Sequence, residues 1–502
     1  METNLGGAID MKLTTIGKKL IIFSLVAAIA AGAVGCGNTK TPSASEHEEK
    51  TPTDVPDYSN SEKKMNMYAY RGTSDGNVTN AAGVKVVYED YKTLEQFQLY
   101  KDCGFDIMFA AGDAAFSGGD FEKSVSKKVL DMCEQIGLKL VFQDQRIRDL
   151  TSSAESIIGE GKQFASMDDL VKTIREYMAP YINHPAFYGL TLVDEPSHKL
   201  FESIAEVQKA LRTVKPDLYI GQALNPYFTS LSAEVYTGKI AEATTMSAYE
   251  TYLNDYLEMT QTTRMMYDNY PFTQRGLLTT FFANAQKVSE ISAEHGATFE
   301  LILQTFQHQE TRMPIKEDLY FQNNAALAFG AENIAYFMYW RGSKSWIDTF
   351  YAGILDYDGS KLLYDEVKEV NAYTQKMASV ILNFDYEKAY VTYNPDTDIT
   401  TPSHFSGVES KELDHVKKVD VTQATLITQM KDKEQNRTGY MVLNAEGVPD
   451  EARGKGKITM TFEGYDFVTC YFDDEPQTVQ LVDGVIELEL NRGEAAFLIP
   501  HN

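Results

Sequence analysis

Two adjacent carboxylates, Asp194 and Glu195, stand directly before Pro196 and directly behind the apolar run Phe187–Val193. Neighbouring carboxyls suit proton transfer, because each charge raises the other's affinity for a proton. Side chains alternate along an ideal strand, so the pair would diverge there; a turn imposed by Pro196 lets both face one pocket. A third carboxylate, Asp268, and the phenol Tyr270 follow another apolar run. Gln304 and His308, then Tyr339 and Trp340, close two later ones, and Arg71, Asp113 and Asp144 follow the three earliest. Acids for proton transfer, flat rings for stacking and amides for hydroxyls are the equipment of carbohydrate chemistry. Cys103, Cys133 and Cys470 show no metal-ligand spacing and no histidine cluster accompanies them, so neither a metal nor a cofactor is expected.

These groups need a frame that brings the ends of distant strands together. Short β-branched or aromatic runs predict strands at Met65–Tyr70, Phe105–Ala110, Leu138–Gln143, Phe187–Val193, Leu218–Ala223, Arg264–Tyr270, Phe299–Phe306 and Asn333–Trp340. Amphipathic stretches between them predict helices such as Lys92–Cys103, Phe121–Ile136, Met167–Ile182, Leu200–Val214, Gly276–His295 and Lys316–Phe329. Several run into a glycine (Gly104, Gly137, Gly296, Gly330), which suits a left-handed cap. Eight strand-helix units over the 276 residues from Met65 to Trp340 predict an α/β chain built as a (β/α)8 TIM barrel, whose active residues gather at the C-terminal strand ends. An open doubly wound sheet would need a Gly-rich phosphate turn, which Gly112-Asp113 and Gly118-Gly119 do not supply.

A turn at Gly353–Gly359 and a helix beginning near Tyr364 close the barrel near Ser379. Beyond Ile381 alternation dominates, at Tyr440–Asn444, Lys457–Phe462, Phe467–Phe472, Thr478–Leu481, Val485–Leu490 and Ala495–Ile499. Turn signals at Asp483-Gly484 and Arg492-Gly493 separate these runs and predict a small antiparallel β-sandwich. The aromatics Tyr440, Phe462, Tyr465, Phe467, Tyr471 and Phe472 alternate as its core residues would. The stretch from Thr392 to Lys418 is polar and matches no element.

Near the start, Leu20 to Gly35 is apolar for 16 residues and follows Lys12, Lys18 and Lys19, too short a run to span a bilayer but right for a signal peptide. Ala33-Val34-Gly35-Cys36 resembles the bacterial lipobox, so Cys36 is expected to be lipidated and to anchor the protein on the outer side of a bacterial cell membrane, with Met11 as the start. The expected division is 1–36 signal peptide and lipobox, 37–64 disordered tether, 65–379 barrel and 380–502 sandwich. With 72 acidic against 46 basic residues and a net charge of −26, the surface repels polyanions, which excludes nucleic acid as a partner.

The chain resembles the glycoside hydrolase superfamily with (β/α)8 barrels, in a bacterial lipoprotein form. The resemblance rests on His-Pro-Ala-Phe-Tyr-Gly at 184–189 followed by Asp194-Glu195-Pro196, on the barrel exit at 353–367, and on Gly493-Glu494-Ala495-Ala496-Phe497-Leu498-Ile499-Pro500. It implies a carbohydrate substrate, with Glu195 as general acid. In the clan of retaining β-glycosidases an Asn precedes that Glu and a second Glu ends the seventh strand. Here Asp194 replaces the Asn and Gln304 stands at the seventh strand, with Glu300 too early and Glu310 too late. The Asp-Glu pair is similar to that of β-N-acetylhexosaminidase families, in which the substrate's acetamido oxygen attacks and the Asp orients it. Glu195 with Asp268 is the other catalytic arrangement, and a non-catalytic carbohydrate-binding surface lipoprotein is the alternative to catalysis.

Overall fold

The computed structural model describes residues 50–502 apart from 75–76, 80–84, 88–89, 111–113, 240–243, 309, 342–351, 398–399, 433, 448–453 and 473–475. The signal peptide, Cys36 and Asp113 lie outside the described residues. All eight expected barrel strands form: β1 (Asn66–Ala69), β2 (Ile107–Ala110), β3 (Lys139–Phe142), β4 (Phe187–Thr191), β5 in two pieces (Tyr219–Gly221 and Ala223–Leu224), β6 (Arg264–Asp268), β7 (Thr298–Gln304) and β8 (Asn333–Phe337). Every pairing is parallel, in the order β5-β4-β3-β2-β1-β8-β7-β6-β5. The sheet begins and ends on the same strand, so the barrel closes, with its only interruption at Gln222.

Each strand is followed by a principal helix: α1 (Leu94–Asp102), α2 (Val125–Ile136), α3 (Met167–Met178), α4 (Phe201–Val214), α5 (Met246–Thr260), α6 (Phe281–Glu294), α7 (Lys316–Ala328) and α8 (Tyr364–Ile381). The stretch expected as one helix from Phe121 breaks at Ser124, whose hydroxyl accepts from the Lys127 N–H and starts α2 afresh. The helices' apolar faces wrap the outside of the barrel, and inside it Tyr68, Ile107, Phe109, Val141, Tyr219, Met266, Ile302 and Ala335 pack as a separate cluster. Glu300 lies at the base of that interior, fully buried. It accepts from the hydroxyls of Tyr68 (2.8 Å) and Tyr219 (2.7 Å), from Asn333 (3.1 Å) and from Arg264 (2.6 Å).

The glycine of the His-Pro-Ala-Phe-Tyr-Gly motif has a packing reason. A Cβ on Gly189 would lie 2.1 Å from the Tyr219 carbonyl oxygen, so β4 and β5 approach too closely for any side chain there. Gly189→Ala should therefore cost about 1–3 kcal/mol, the range for overpacking. A urea midpoint equal to that of the native protein would contradict this.

After α8 the chain forms two antiparallel sheets. The strands are β9 (Asp385–Thr392), β10 (Val416–Val421), β11 (Thr425–Asp432), β12 (Arg437–Asn444), β13 (Gly456–Phe462), β14 (Phe467–Tyr471), β15 (Gln477–Gln480), β16 (Val485–Leu490) and β17 (Ala495–His501). Six pair in the order β9-β11-β12-β17-β14-β15 and three in the order β10-β13-β16. Ile427, Tyr440, Val442 and Leu498 of the first sheet pack on Ile458, Met460, Ile486 and Leu488 of the second, so the sandwich has its own core. The polar stretch after β9 docks on the barrel: Phe405 stacks near Phe282 of α6 (5.7 Å) and the Glu409 N–H donates to Gln286 (2.7 Å).

Barrel and sandwich are joined through a buried carboxylate. Asp318 of α7, fully buried, pairs with both Nη atoms of Arg312 and with Nη1 of Arg492 at 2.8 Å, the latter from the turn between β16 and β17. Beside it Gly493 adopts φ +79°, and a Cβ there would meet the Glu317 carbonyl at 2.4 Å.

The expected tether is corrected over residues 50–64, which run along the sandwich and into β1 rather than standing free. The N–H groups of Thr53 and Asp54 donate to the Asn502 carbonyl (3.2 and 3.1 Å), Arg437 pairs with Asp54 (2.7 Å), and the buried Tyr58 donates to Asp432 (2.6 Å). Polar composition suggested disorder, but Pro56 and Tyr58 suffice to seat the segment on an existing sheet.

Candidate active site

The acidic pair is set by an elbow in the chain. Thr191 ends β4, and Glu195 adopts φ +43°, a left-handed conformation that costs a residue with a Cβ about 1–3 kcal/mol and persists only where its surroundings enforce it. Those surroundings come from β5. The Glu195 N–H donates to the Ala223 carbonyl (3.1 Å), and the Asn225 amide donates to the carbonyls of Glu195 (2.8 Å) and Pro196 (3.3 Å). The Tyr252 hydroxyl of α5 also donates to Pro196 (2.7 Å), and the Gln222 amide reaches the Val193 carbonyl. The turn expected from Pro196 is thus a turn at Glu195 itself.

The elbow brings Glu195 within hydrogen-bonding reach of Asp268, the last residue of β6. Glu195 and Asp194 are open to solvent on one side, yet the surrounding protein desolvates both. For Glu195, desolvation and then the Asp194 charge push the carboxyl up to about 7, against a hydrogen bond from Asp268 that lowers it. Asp194 is also raised by desolvation, with Arg148 opposing. Asp268 is buried, its Oδ1 takes no hydrogen bond, and burial followed by the charges of Glu195 and Asp194 raises it well above the usual carboxylate range, with the Tyr270 hydroxyl opposing. Burial and neighbouring charge thus favour the protonated form of both Glu195 and Asp268.

Aromatic rings surround the acids. Tyr270 packs edge-on to Phe306 (4.8 Å) and beside Phe337 (6.0 Å), while Tyr70 lies 6.3 Å from Phe337. Tyr70, Tyr270 and Phe337 are partly exposed.

The structure gives other expected site residues different work. Gln304 is fully buried: its Oε1 accepts from the Phe272 N–H (3.0 Å) and its Nε2 donates to the carbonyls of Arg312 (2.8 Å) and Phe306 (3.2 Å). It staples the loops after β6 and β7 and has no group left over for a hydroxyl. Asp144 is buried, caps the short helix Gln145–Leu150, and is held by Arg146 (2.6 Å) and Tyr181 (2.8 Å). Trp340, expected as a pocket floor, is only 1% exposed, stacked on Tyr91 at 4.6 Å, so neither ring face is offered to a sugar. Tyr339 is buried against Tyr100 (4.8 Å) and Trp340 (6.0 Å) as barrel packing. His308 lies in a turn in which its Nδ1 accepts from the Glu310 N–H (3.4 Å). Arg71 follows β1 with φ +56°, its carbonyl accepting from Trp340 (3.3 Å), and stands at the rim.

Sequence reasoning missed Tyr70, Phe337 and Asn225. The rule that listed the other strand ends would have found Asn225, which stands before Pro226 just beyond β5. Among the described residues, Asp131, Glu134 and His184 have metal-ligand separations, but they lie at the opposite end of the barrel. There His184 bonds Asp131 (3.0 Å) and accepts from the Ala186 N–H (3.2 Å), tying α2 to the entry of β4.

Asp194→Asn isolates one cause of the Glu195 shift. Removing that negative charge lowers the Glu195 pKa, so any activity that needs a protonated Glu195 should lose its alkaline limb at a lower pH than in the native protein. A limb that stays in place or moves up would contradict the coupling.

No protein-family model and no curated protein sequence matches the chain. Solved structures do. A glycoside hydrolase family 5 protein from Bacteroides vulgatus superimposes with a TM-score of 0.50 at 9% identity, over 88% of this chain and 89% of that one. An Anoxybacillus alpha-amylase matches with a TM-score of 0.48 at 12% identity, over 87% and 98%. At these identities the likeness is one of fold. The molecule is a (β/α)8-barrel protein with a C-terminal antiparallel β-sandwich. That is the fold of solved glycoside hydrolases.

Proposed function

We propose that the protein is a glycoside hydrolase of the bacterial cell surface, anchored by a lipid on Cys36 and acting on an extracellular glycan, with Glu195 as the general acid. The observation that carries this reading is the convergence of Glu195, Asp194 and Asp268 at the C-terminal rim of a barrel beside three partly exposed rings, where burial raises the Glu195 carboxyl to about 7. At neutral pH such a group holds a proton for a departing glycosidic oxygen. Inverting pairs stand roughly 6.5–9.5 Å apart to admit a water. Glu195 and Asp268 are in hydrogen-bonding reach, which disfavours inversion by that pair. A protonated Asp268 is also a poor nucleophile. The nucleophile that remains is the substrate's own 2-acetamido oxygen, with Asp194 as the group that orients it.

The test is hydrolysis of a panel of glycosides with and without a 2-acetamido group, by a soluble form beginning at Lys50 so that the packed N-terminal segment is kept. Cleavage restricted to acetamido sugars supports the substrate-assisted route. Equal cleavage of sugars without that group would transfer the nucleophile's role to Asp268. No cleavage of any member, with glycan binding retained, would establish the non-catalytic carbohydrate-binding reading.

A further inference from the structure

We propose that Asn225 is a positioning residue for Glu195: the break in the fifth barrel strand and the amide just beyond it form a clasp that holds the acid's backbone in its left-handed turn. The inference rests on the reading of Glu195 as the acid. Four contacts converge on four consecutive peptide units. Gln222, at the break, takes the Val193 carbonyl; the Ala223 carbonyl accepts from the Glu195 N–H at 3.1 Å; Asn225 takes the carbonyls of Glu195 and Pro196 at 2.8 and 3.3 Å. Tyr252 adds a second donor to Pro196 at 2.7 Å and also faces the Asn225 N–H at 3.4 Å.

The break itself is part of the device. Beyond Gln222 the strand pairs with β6 rather than β4, so the Ala223 carbonyl is free to accept from Glu195. Asn225 is only 7% exposed, and a buried amide that donates to two carbonyls has no solvent substitute when it is removed. Without it the Glu195 backbone relaxes toward negative φ, which redirects the side chain from the Asp268 side of the pocket toward solvent.

Asn225→Ala and the isosteric Asn225→Asp, which loses the donor but fills the space, test this in the soluble form from Lys50. For the native activity, kcat should fall about 10²-fold, the scale of a misplaced catalytic group, with KM little changed. In Asn225→Ala, which adds no charge, the alkaline limb should also move to lower pH as Glu195 leaves its desolvated position. A purely structural role would lower the yield of folded protein without moving the limb. The second readout needs no activity. Glycine adopts φ near +43° without strain, so the urea midpoint lost on Asn225→Ala should be smaller in a Glu195→Gly background than in the native one. Unchanged kcat and limb in a folded, active Asn225 variant would overturn the clasp, as would equal midpoint losses in the two backgrounds. A native protein inactive on every glycoside, but with the expected difference in midpoints, would overturn the hydrolase reading and leave the clasp standing.

Discussion

Glu195→Gln is expected to lower turnover of a glycoside with a poor leaving group by about 10²–10⁴-fold, the usual worth of a positioned general acid. The amide keeps the size of the side chain but has no acidic proton for the departing oxygen. An aryl glycoside that releases a stable phenolate needs little protonation, so its loss should be much smaller, and this difference separates a lost acid from a damaged site. The pH profile gives a second signature. Glu195 is raised to about 7 by desolvation and by Asp194, so native activity should decline as pH rises through about 7, and that decline should vanish in the variant. Stability should also fall with rising pH. A carboxyl whose folded pKa lies above its unfolded value of about 4.3 gives stability that is complete below the unfolded value and is lost as pH rises to the folded one. The Gln variant should match the native protein in acid and exceed it above pH 7. Full activity of the variant on a poor leaving group would remove Glu195 from the mechanism.

Asp318→Asn should be the most damaging substitution away from the site. One buried carboxylate is ion-paired with both Arg312 and Arg492 and also accepts from the Ile315 N–H at 2.9 Å. Removing one partner of a buried ion pair leaves uncompensated charge and costs about 3–5 kcal/mol. Two guanidinium groups would lose their counter-charge at once, one on each side of the junction between barrel and sandwich, so the variant should also uncouple the two. Urea unfolding followed by a barrel probe and a sandwich probe should show two transitions where the native protein shows one. A single transition at the native midpoint would mean the junction is held by apolar packing alone.

The barrel was legible because its signal is local. Each strand is a short apolar run and each helix carries its own periodicity, so all eight units are found where the pattern places them, with ends differing by a few residues. The break at Gln222 was not legible, since Leu218–Ala223 reads as one run. The sandwich strands β9, β10 and β11 were missed for a related reason. β9 and β10 pair with strands that are not their neighbours in sequence, and β10 is largely solvent-facing, whereas β11 forms a hairpin with β12 whose alternation went unread. The acids of the site were legible from strand ends. The supporting roles were not, because a Gln or Trp at a strand end looks the same whether it faces a ligand or a neighbouring loop. Gln304 is buried by the loops after β6 and β7 and Trp340 by Tyr91 from the segment before α1, and no spacing rule describes how such segments fold back.

The early segment that lies along the sandwich sets the order of folding. Thr53 reaches its partner Asn502 across 449 positions, and Tyr58 reaches Asp432 across 374. At roughly 5–20 residues per second, ribosomal synthesis separates the first pair of partners by roughly 20–90 s. The barrel strands can pair progressively during that time, but the segment before β1 must wait for the last strand. During synthesis its docking is therefore a late step, after the barrel has formed. Tyr58→Phe, which removes only the hydrogen bond to Asp432, should leave residues 50–58 more open to protease while the barrel stays protected.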